Sequence, residues 1–245
     1  MAAPVTVVVG GSGLIGRACV RALAAKGHAC VSLDLARAPG AGRDAAWVRC
    51  DVTSERSVRA AVERVRRRYG RLDNLVHSPN ARPARFAAEL ERYDLAAWRR
   101  VLDVHVTGAM LVSRAVLPLM ARRHAGSIVL LGSIYGVVAP TFALYGPGRP
   151  APPLVYTAAK AALIGMARWI AARYGRSGIR CNVVSPGGVD EAAWPGGGFK
   201  RRYLRTVPLG RAVAVADVAR AVAYALEAEH LTGHNLVLDG GWTSA

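Results

Sequence analysis

The chain has 245 residues, 52% of them hydrophobic, and a formal net charge of +17. This length and apolar content suit one α/β domain with a large core, and no linker, repeat or low-complexity tract divides residues 1–245, so we expect a single domain. The charge does not indicate nucleic-acid binding, because thirty arginines accompany only three lysines and the densest cationic cluster, at 64–68, has no interleaved aromatic residues.

No charged and apolar leader begins the chain, and a histidine and an arginine interrupt its longest apolar stretch, 104–120, so neither secretion nor membrane spanning is expected. His230 and His234 have no third ligand nearby, and no metal site is predicted. The four cysteines are unpaired in sequence and fall within predicted helices and strands, which is typical of a cytoplasmic protein with reduced thiols. They are Cys19, Cys30, Cys50 and Cys181.

The first predicted unit is a strand, a glycine turn and a helix. Residues 5–9 are apolar and mostly β-branched, and the turn at 10–16 has glycines at its first, fourth and seventh positions. Such glycines allow a tight turn and close approach of a ligand, while the free N–H groups at the helix start attract an anion. We therefore expect the pyrophosphate of a dinucleotide to bind here. The predicted binding residues are Gly10, Ser12, Gly13, Leu14, Ile15 and Gly16.

A second strand ends at Asp34, 18 residues after Gly16, close to where an acid meets the ribose hydroxyls of a bound dinucleotide. A carboxylate there repels the additional phosphate of NADP, so the sequence favours NAD. NADP is less favoured, although Arg37 lies near enough to meet that phosphate. The plainer alternative is that Asp34 is only a turn residue.

Strand patterns near residues 5, 29, 46, 72, 126, 179 and 235 alternate with helical patterns over 54–69, 95–120, 156–174 and 215–228. This alternation predicts an α/β protein, with a mostly parallel sheet covered by helices on both faces. Together with the glycine turn, it predicts a doubly wound Rossmann fold with seven strands.

Tyr156 and Lys160 are four residues apart on a predicted helix and therefore share a face. An ammonium beside a phenol favours the phenolate, so the pair can move a proton near neutral pH. Ser133 follows the apolar run 128–131, at the strand end where open α/β sheets place ligands. Hydroxyl donors at this point would stabilise the charge that develops on an oxygen when a hydride leaves or joins the neighbouring carbon. The plainer alternatives are a half-buried tyrosine beside a solvated lysine, and a turn serine.

These residues stand within eight segments whose joint order resembles the single-domain short-chain dehydrogenases/reductases. The segments are 9–16, 50–52, 72–76, 126–133, 156–160, 178–187, 208–211 and 238–241. The resemblance implies that Ser133 holds the substrate oxygen, that Tyr156 exchanges its proton, and that Lys160 binds the nicotinamide ribose while lowering the tyrosine pKa. It also implies a homo-oligomer, a tetramer or dimer. The further cofactor-binding residues it implies are Asp51, Val52, Ser78, Lys160, Pro186, Gly187 and Val189.

Two departures from the family pattern fall near the predicted site. The chain reads His-Ser-Pro-Asn at 77–80 where the family usually has Asn-Asn-Ala-Gly, which removes one backbone N–H at Pro79. His105 replaces the helix asparagine that helps to hold a water leading from the lysine to solvent. Because histidine also holds water and titrates near neutral pH, His105 is a fourth catalytic candidate. The alternative is a packed helix residue without a proton role.

Two segments are expected to border the substrate. The 22 residues between Ser133 and Tyr156 exceed the family's usual number, and 140–153 holds five of the 13 prolines, so a stiff loop should stand over the reaction pocket. Part of this region resembles relatives near flagellin modification and surface-sugar biosynthesis, which suggests a sugar or polyol. The glycine-rich 187–205 segment is a candidate lid. Its four cations attract an anion or form a solvated face.

Three functions are compatible with these residues. The first is an enzyme that transfers a hydride between NAD(H) and a secondary alcohol or ketone. The second is a cofactor-binding sensor or scaffold without turnover, suggested by 77–80 and His105. The third is an epimerase or dehydratase that uses NAD transiently, suggested by the glycine spacing, although only 85 residues follow Lys160. In each case the expected partner is a small molecule, with no nucleic acid and no membrane.

Overall fold

The computed structural model describes residues 2–37, 45–83, 90–146, 151–192, 194–196 and 198–245. Seven strands form one sheet in the order β3-β2-β1-β4-β5-β6-β7, and every neighbouring pair is parallel. The predicted doubly wound fold is confirmed. The strands are β1 Val5–Val9, β2 Ala29–Asp34, β3 Ala45–Arg49, β4 Asn74–His77, β5 Gly126–Leu131, β6 Ile179–Pro186 and β7 Asn235–Leu238.

Helices cover both faces of the sheet. Alternate residues of β1 show why this strand is apolar throughout, since Val7 and Val9 belong to the core on one face and Val8 to the core on the other. The first face is covered by α2, α4 and α5, and the second by α1 and α7. The helices are α1 Leu14–Ala25, α2 Glu55–Tyr69, α3 Leu95–Leu102, α4 Gly108–Ala121, α5 Leu154–Tyr174, α6 Phe199–Arg205 and α7 Val215–Glu227.

The strand order reverses direction at β1, whose neighbours are β2 on one side and β4 on the other. At such a point the connections leave towards opposite faces, and a crevice opens beyond the carboxyl ends of the strands. Gly10 follows β1 and Ser78 follows β4, so the glycine turn and the altered 77–80 segment meet at this crevice.

The helix predicted over 95–120 contains a wider turn. Between α3 and α4, Asp103–Thr107 forms a π-helical turn, and the N–H of Gly108 donates to the carbonyl of Asp103. Apolar periodicity does not reveal one additional residue in a turn, so the sequence gives no sign of it. Single π turns are frequent at functional sites, and His105 lies at the centre of this one.

Among the residues that the structure describes, two segments are long and apolar enough, by length and composition, to cross a membrane: Leu95–Ala121 and Leu154–Ser177. In the structure both pack on the sheet. Buried side chains of α4 and α5, among them Val112 and Leu163, belong to the core on that face. Burial against the sheet accounts for part of their apolar character, since 56% of the apolar window of the first segment and 39% of that of the second are buried.

All four cysteines are free and buried. Burial raises the pKa of the Cys19 thiol to about 12 and that of Cys50 to about 11. The pKa of Cys181 is raised as well, again by burial. The thiols therefore behave as small apolar core groups.

Asp73 joins three parts of the chain at the amino-terminal edge of the sheet, directly before β4. Its carboxylate accepts hydrogen bonds from the N–H of Val5 at 2.8 Å, from the Arg71 guanidinium at 2.6 and 2.7 Å, and from Arg123 Nη1 at 2.7 Å. Burial acts to raise the pKa of Asp73, but the bonds from Arg71, Val5 and Arg123 outweigh it and the pKa is lowered. The carboxylate thus fastens the start of β1 and the end of α4 to β4.

We expect Asp73→Asn to lower the free energy of unfolding by about 1–3 kcal/mol at pH 7, measured by urea denaturation, because it removes the charge that three donors share. The pKa of Asp73 is lower in the folded chain than in the unfolded one. Its contribution is therefore complete above the unfolded value of about 3.9 and is lost as pH falls through the folded value.

Asp217→Asn is the matched control, since Asp217 forms an exposed ion pair with Arg220 within α7. Such pairs contribute under about 0.5 kcal/mol. Equal effects of the two substitutions, or an Asp73→Asn difference that persists unchanged at the lowest pH where the protein folds, would contradict the assignment.

Candidate active site

A cavity of about 970 Å³ lies beyond the carboxyl ends of the strands. All the residues that the sequence predicted for the cofactor line it, together with Ser133 and Tyr156. They are Gly10, Ser12, Gly13, Leu14, Ile15, Gly16, Asp34, Asp51, Val52, Ser78, Lys160, Pro186, Gly187 and Val189. His105 is absent from this lining in the part of the chain that is described.

The glycine turn shows why side chains are excluded at two of its positions. Gly10 has φ +71°, and a Cβ there would lie 2.6 Å from the carbonyl oxygen of Ser78. A Cβ on Gly16 would lie 2.1 Å from the carbonyl oxygen of Gly10, so α1 starts directly against the turn. Gly13 precedes α1, and no side chain caps its first N–H groups. The turn therefore offers backbone donors to an anion in the cavity.

Two carboxylates stand at the β2 and β3 end of the cavity. Asp34 accepts bonds from the N–H of Ser12 at 3.0 Å and of Leu35 at 2.8 Å, which hold it beside the glycine turn. Asp51 accepts from the N–H and hydroxyl of Thr53 at 2.9 and 2.7 Å, and these bonds lower its pKa. Uncapped helix donors next to fixed carboxylates suit the pyrophosphate and the hydroxyls of a dinucleotide, so the residues present fit such a cofactor.

Ser133, Tyr156 and Lys160 gather at the other end. Ser133 follows β5, and its Oγ accepts from the N–H of Tyr135 at 3.2 Å, so the serine is also a turn residue. It is hydrogen-bonded to Tyr156 as well. Lys160 Nζ donates to the carbonyl of Leu131 at 2.7 Å and lies 5.5 Å from the centre of the Tyr156 ring. The structure brings together the three side chains that the sequence singled out.

The electrostatics differ from the expectation that Lys160 lowers the tyrosine pKa. Burial raises the pKa of Tyr156, against opposing effects of the hydrogen bond with Ser133 and the positive charge of Arg82. Burial also lowers the pKa of Lys160 to about 7. The net shift of the Tyr156 pKa is therefore upward, because desolvation disfavours the charged forms of both groups. The groups that favour the phenolate here are a serine and an arginine.

His105 also differs from expectation. It is only 1% exposed, its ring packs edge-to-face on Tyr156 with centres 6.1 Å apart, and its Nε2 accepts from the N–H of Ala81 at 3.4 Å. Burial, and then the charges of Lys160 and His77, lower its pKa to about 2. The prediction that it titrates near neutral pH is therefore wrong, because burial and the nearby positive charge disfavour the imidazolium cation.

The second unexpected histidine, His77, is fully buried at the end of β4. Burial and the charge of Lys160 lower its pKa to about 3. Neither of its ring nitrogens has a hydrogen-bond partner of ordinary geometry among the described residues. Both histidines are thus neutral, buried residues that pack next to the site.

The long segment between Ser133 and Tyr156 packs against α6. Tyr145 bonds to Tyr135 through their hydroxyls at 2.7 Å and stacks near Phe199 at 4.6 Å, and Arg202 Nε donates to the carbonyl of Leu144 at 2.9 Å. No described residue of 137–146 lines the cavity. Residues 147–150, within the loop expected to cover the pocket, lie outside the described part of the chain.

The candidate lid is fastened at several points. The N–H of Gly188 donates to the hydroxyl of Tyr203 at 2.8 Å, and Lys200 pairs with Asp190. Of the four cations in this segment, Lys200 and Arg202 therefore have partners within the protein. Neither contact points to a bound anion.

Three charged residues of the cavity escaped sequence reasoning: Arg82, Arg100 and Glu191. Arg100 lies on α3 beside Asp51, whose pKa it helps to lower. Arg82 lies beside Tyr156, 74 positions earlier in the chain. The only sign in the sequence was its position after the unusual 77–80 segment. That position did not indicate that the loop brings Arg82 to Tyr156.

Comparisons with known proteins agree with this geometry. A family model described as enoyl-(acyl carrier protein) reductase matches residues 11–243. The cis-4-hydroxycyclohexanecarboxylate dehydrogenase of Sinomonas cyclohexanicum is 36% identical over 252 residues, 98% of this chain and 96% of the relative.

Two solved structures are similar throughout. A short-chain dehydrogenase from Leptospira borgpetersenii with bound NAD+ has a TM-score of 0.89 and 25% identity, over 99% of this chain and 94% of the other. A gluconate 5-dehydrogenase from Burkholderia cenocepacia, in complex with NADP and tartrate, has a TM-score of 0.88 and 25% identity, over 100% and 97%. The chain therefore belongs to the short-chain dehydrogenase/reductase family and is an oxidoreductase that works with a nicotinamide cofactor.

Proposed function

We propose that the protein is an NAD-dependent dehydrogenase that interconverts a secondary alcohol and the corresponding ketone. The observation that supports this proposal is the meeting of Ser133, Tyr156 and Lys160 at one end of a cavity whose other end carries the glycine turn and Asp34. Bound nicotinamide supplies the carbon that accepts or releases the hydride. The protein supplies orientation and proton transfer.

Each of the three residues has a separate task in this proposal. Ser133 donates a hydrogen bond to the substrate oxygen and stabilises the charge that develops there. Tyr156 accepts the hydroxyl proton when the alcohol is oxidised and returns it when the ketone is reduced. Lys160, held by Leu131, binds the nicotinamide ribose and in its protonated form contributes positive charge beside the phenol. Because the site is buried, these interactions act in a medium of low dielectric constant.

Asp34 supports NAD as the preferred cofactor. Its carboxylate is held beside the glycine turn by two backbone N–H groups, and it lines the cavity where a ribose would lie. A phosphate on that ribose would meet a fixed negative charge. One related structure holds NAD+ and another NADP, so the family alone does not determine which of the two cofactors is preferred.

For the substrate we propose a hydroxylated ring compound or polyol. The relatives' names, a hydroxycyclohexanecarboxylate dehydrogenase and a gluconate 5-dehydrogenase, describe secondary alcohols on a ring and on a polyhydroxy chain. A sugar also belongs to this class. We further propose a cytoplasmic homo-oligomer, a dimer or tetramer, for which the 64% exposed Trp169 on α5 offers apolar surface.

Tyr156→Phe should lower kcat by about 10²–10⁴, because it removes the proton-transferring hydroxyl and keeps the ring that packs on His105. NADH formation with a panel of secondary alcohols measures kcat, and fluorescence titration should show NADH binding within about twofold of wild type. The control is Tyr224→Phe, on the exposed face of α7, which should leave both unchanged.

Retention of wild-type turnover by Tyr156→Phe would refute the assigned role. A wild-type protein that binds NADH but turns over no alcohol or ketone would favour the sensor or scaffold interpretation. A changed product without net NADH change would favour the epimerase or dehydratase.

Asp34→Asn removes the charge and keeps one acceptor oxygen, for the bond from either Ser12 or Leu35, which reach different oxygens of the carboxylate. We expect the ratio of kcat/KM for NADP over NAD to rise about tenfold or more, since the repulsion of the phosphate disappears. Asp190→Asn, which removes an exposed carboxylate outside the cavity lining, is the control. An unchanged cofactor ratio in Asp34→Asn would show that another residue determines the preference.

A further inference from the structure

The loop at 79–83 is held more firmly than its surface position suggests. Pro79 and Pro83 fix the backbone angle φ at both ends. The main chain of Ser78 and Pro79 lies so close to Gly10 that a Cβ there would approach it to 2.6–2.8 Å. In the middle of the loop, the N–H of Ala81 donates to Nε2 of the buried His105. The loop is therefore anchored to both the glycine turn and the π turn.

Arg82 follows this anchor directly. It lines the same cavity as Ser133 and Tyr156, and its charge is near enough to Tyr156 to lower the tyrosine pKa. It forms no ion pair and no hydrogen bond with any residue that the structure describes. At the reaction end of the cavity, the guanidinium of Arg82 thus has donors that no described residue occupies.

The other charges of the cavity have partners or lie elsewhere. Asp34 and Asp51 stand at the far end, with Arg100 beside Asp51. The Glu191 carboxylate accepts from the N–H of Val215 at 3.0 Å, and Lys160 donates to Leu131. Among the described lining residues, Arg82 is the cation left available beside the reacting hydroxyls.

A planar guanidinium matches a carboxylate with two parallel hydrogen bonds and is never deprotonated in ordinary conditions. The geometry points to Arg82 as the residue that binds a carboxylate of the substrate, an inference that rests on the function proposed above. The enzyme would then act on hydroxy acids and keto acids in preference to neutral alcohols. His105 is then a positioning residue, because its neutral Nε2 fixes the main chain next to Arg82.

The test compares each member of a panel of hydroxycycloalkane carboxylic acids with its primary amide, which has the same shape without the charge. Wild type should prefer the acid by about tenfold or more in kcat/KM. Arg82→Gln should lower kcat/KM for the acid about 10–100-fold and leave the amide within about threefold, and Arg82→Lys should fall between. Arg100→Gln, which removes a cation from the far end, should keep the wild-type ratio of acid to amide.

The ratio also separates this role from an effect on Tyr156, since a shift of the tyrosine pKa alters acid and amide alike. Equal losses for both substrates would overturn the proposal, as would a wild type indifferent to the charge. NADH affinity reduced about tenfold in Arg82→Gln would overturn it too, by assigning Arg82 to a cofactor phosphate.

Calorimetric titration of the same pairs into NADH-saturated protein makes the outcome independent of turnover. If the wild type binds the acid but turns over neither substrate, and Arg82→Gln loses the acid binding, the carboxylate site would be upheld and the proposed dehydrogenase activity contradicted. If acid and amide are both turned over and Arg82→Gln changes neither rate, the dehydrogenase activity would be upheld and the carboxylate site contradicted.

Discussion

The bond from Lys160 to the carbonyl of Leu131 is the contact on which the reaction end depends. It joins α5 to the last residue of β5, two positions before Ser133, and so fixes Tyr156 relative to Ser133. The ammonium is almost fully buried, and its pKa of about 7 reflects the cost of keeping a cation there. An interior that destabilises a charge in this way also strengthens any electrostatic interaction with a substrate oxygen.

Burial disfavours the charged form of four titratable groups around this contact. It raises the pKa of Tyr156 and lowers those of His77, His105 and Lys160. The opposing effects on Tyr156 come from one neutral donor and one cation on a different loop. The environment favours neutral groups until charge develops during the reaction, and a site organised in advance needs little rearrangement at that moment.

Local patterns were sufficient to predict the architecture and to place the glycine turn and Asp34 in one cavity. The turn at 10–16 and the acid at Asp34 belong to one strand-turn-helix-strand unit, so their spacing along the chain determines their positions in space. The roles of His105 and Arg82 depend instead on where a loop after β4 meets a helix some twenty residues later. Neither the π turn nor the desolvation at 105 has a signature in residue type, and histidine's ordinary pKa gave the wrong expectation.

The raised pKa values of Cys19, Cys50 and Cys181 have a consequence for the lifetime of the protein. Thiolate is the form that oxidants and alkylating agents attack, and the raised pKa values leave almost none of it near neutral pH. Oxidation and alkylation of these three thiols are thereby confined to molecules that have opened. A modified Cys19, Cys50 or Cys181 recovered from the protein therefore records a past unfolding event.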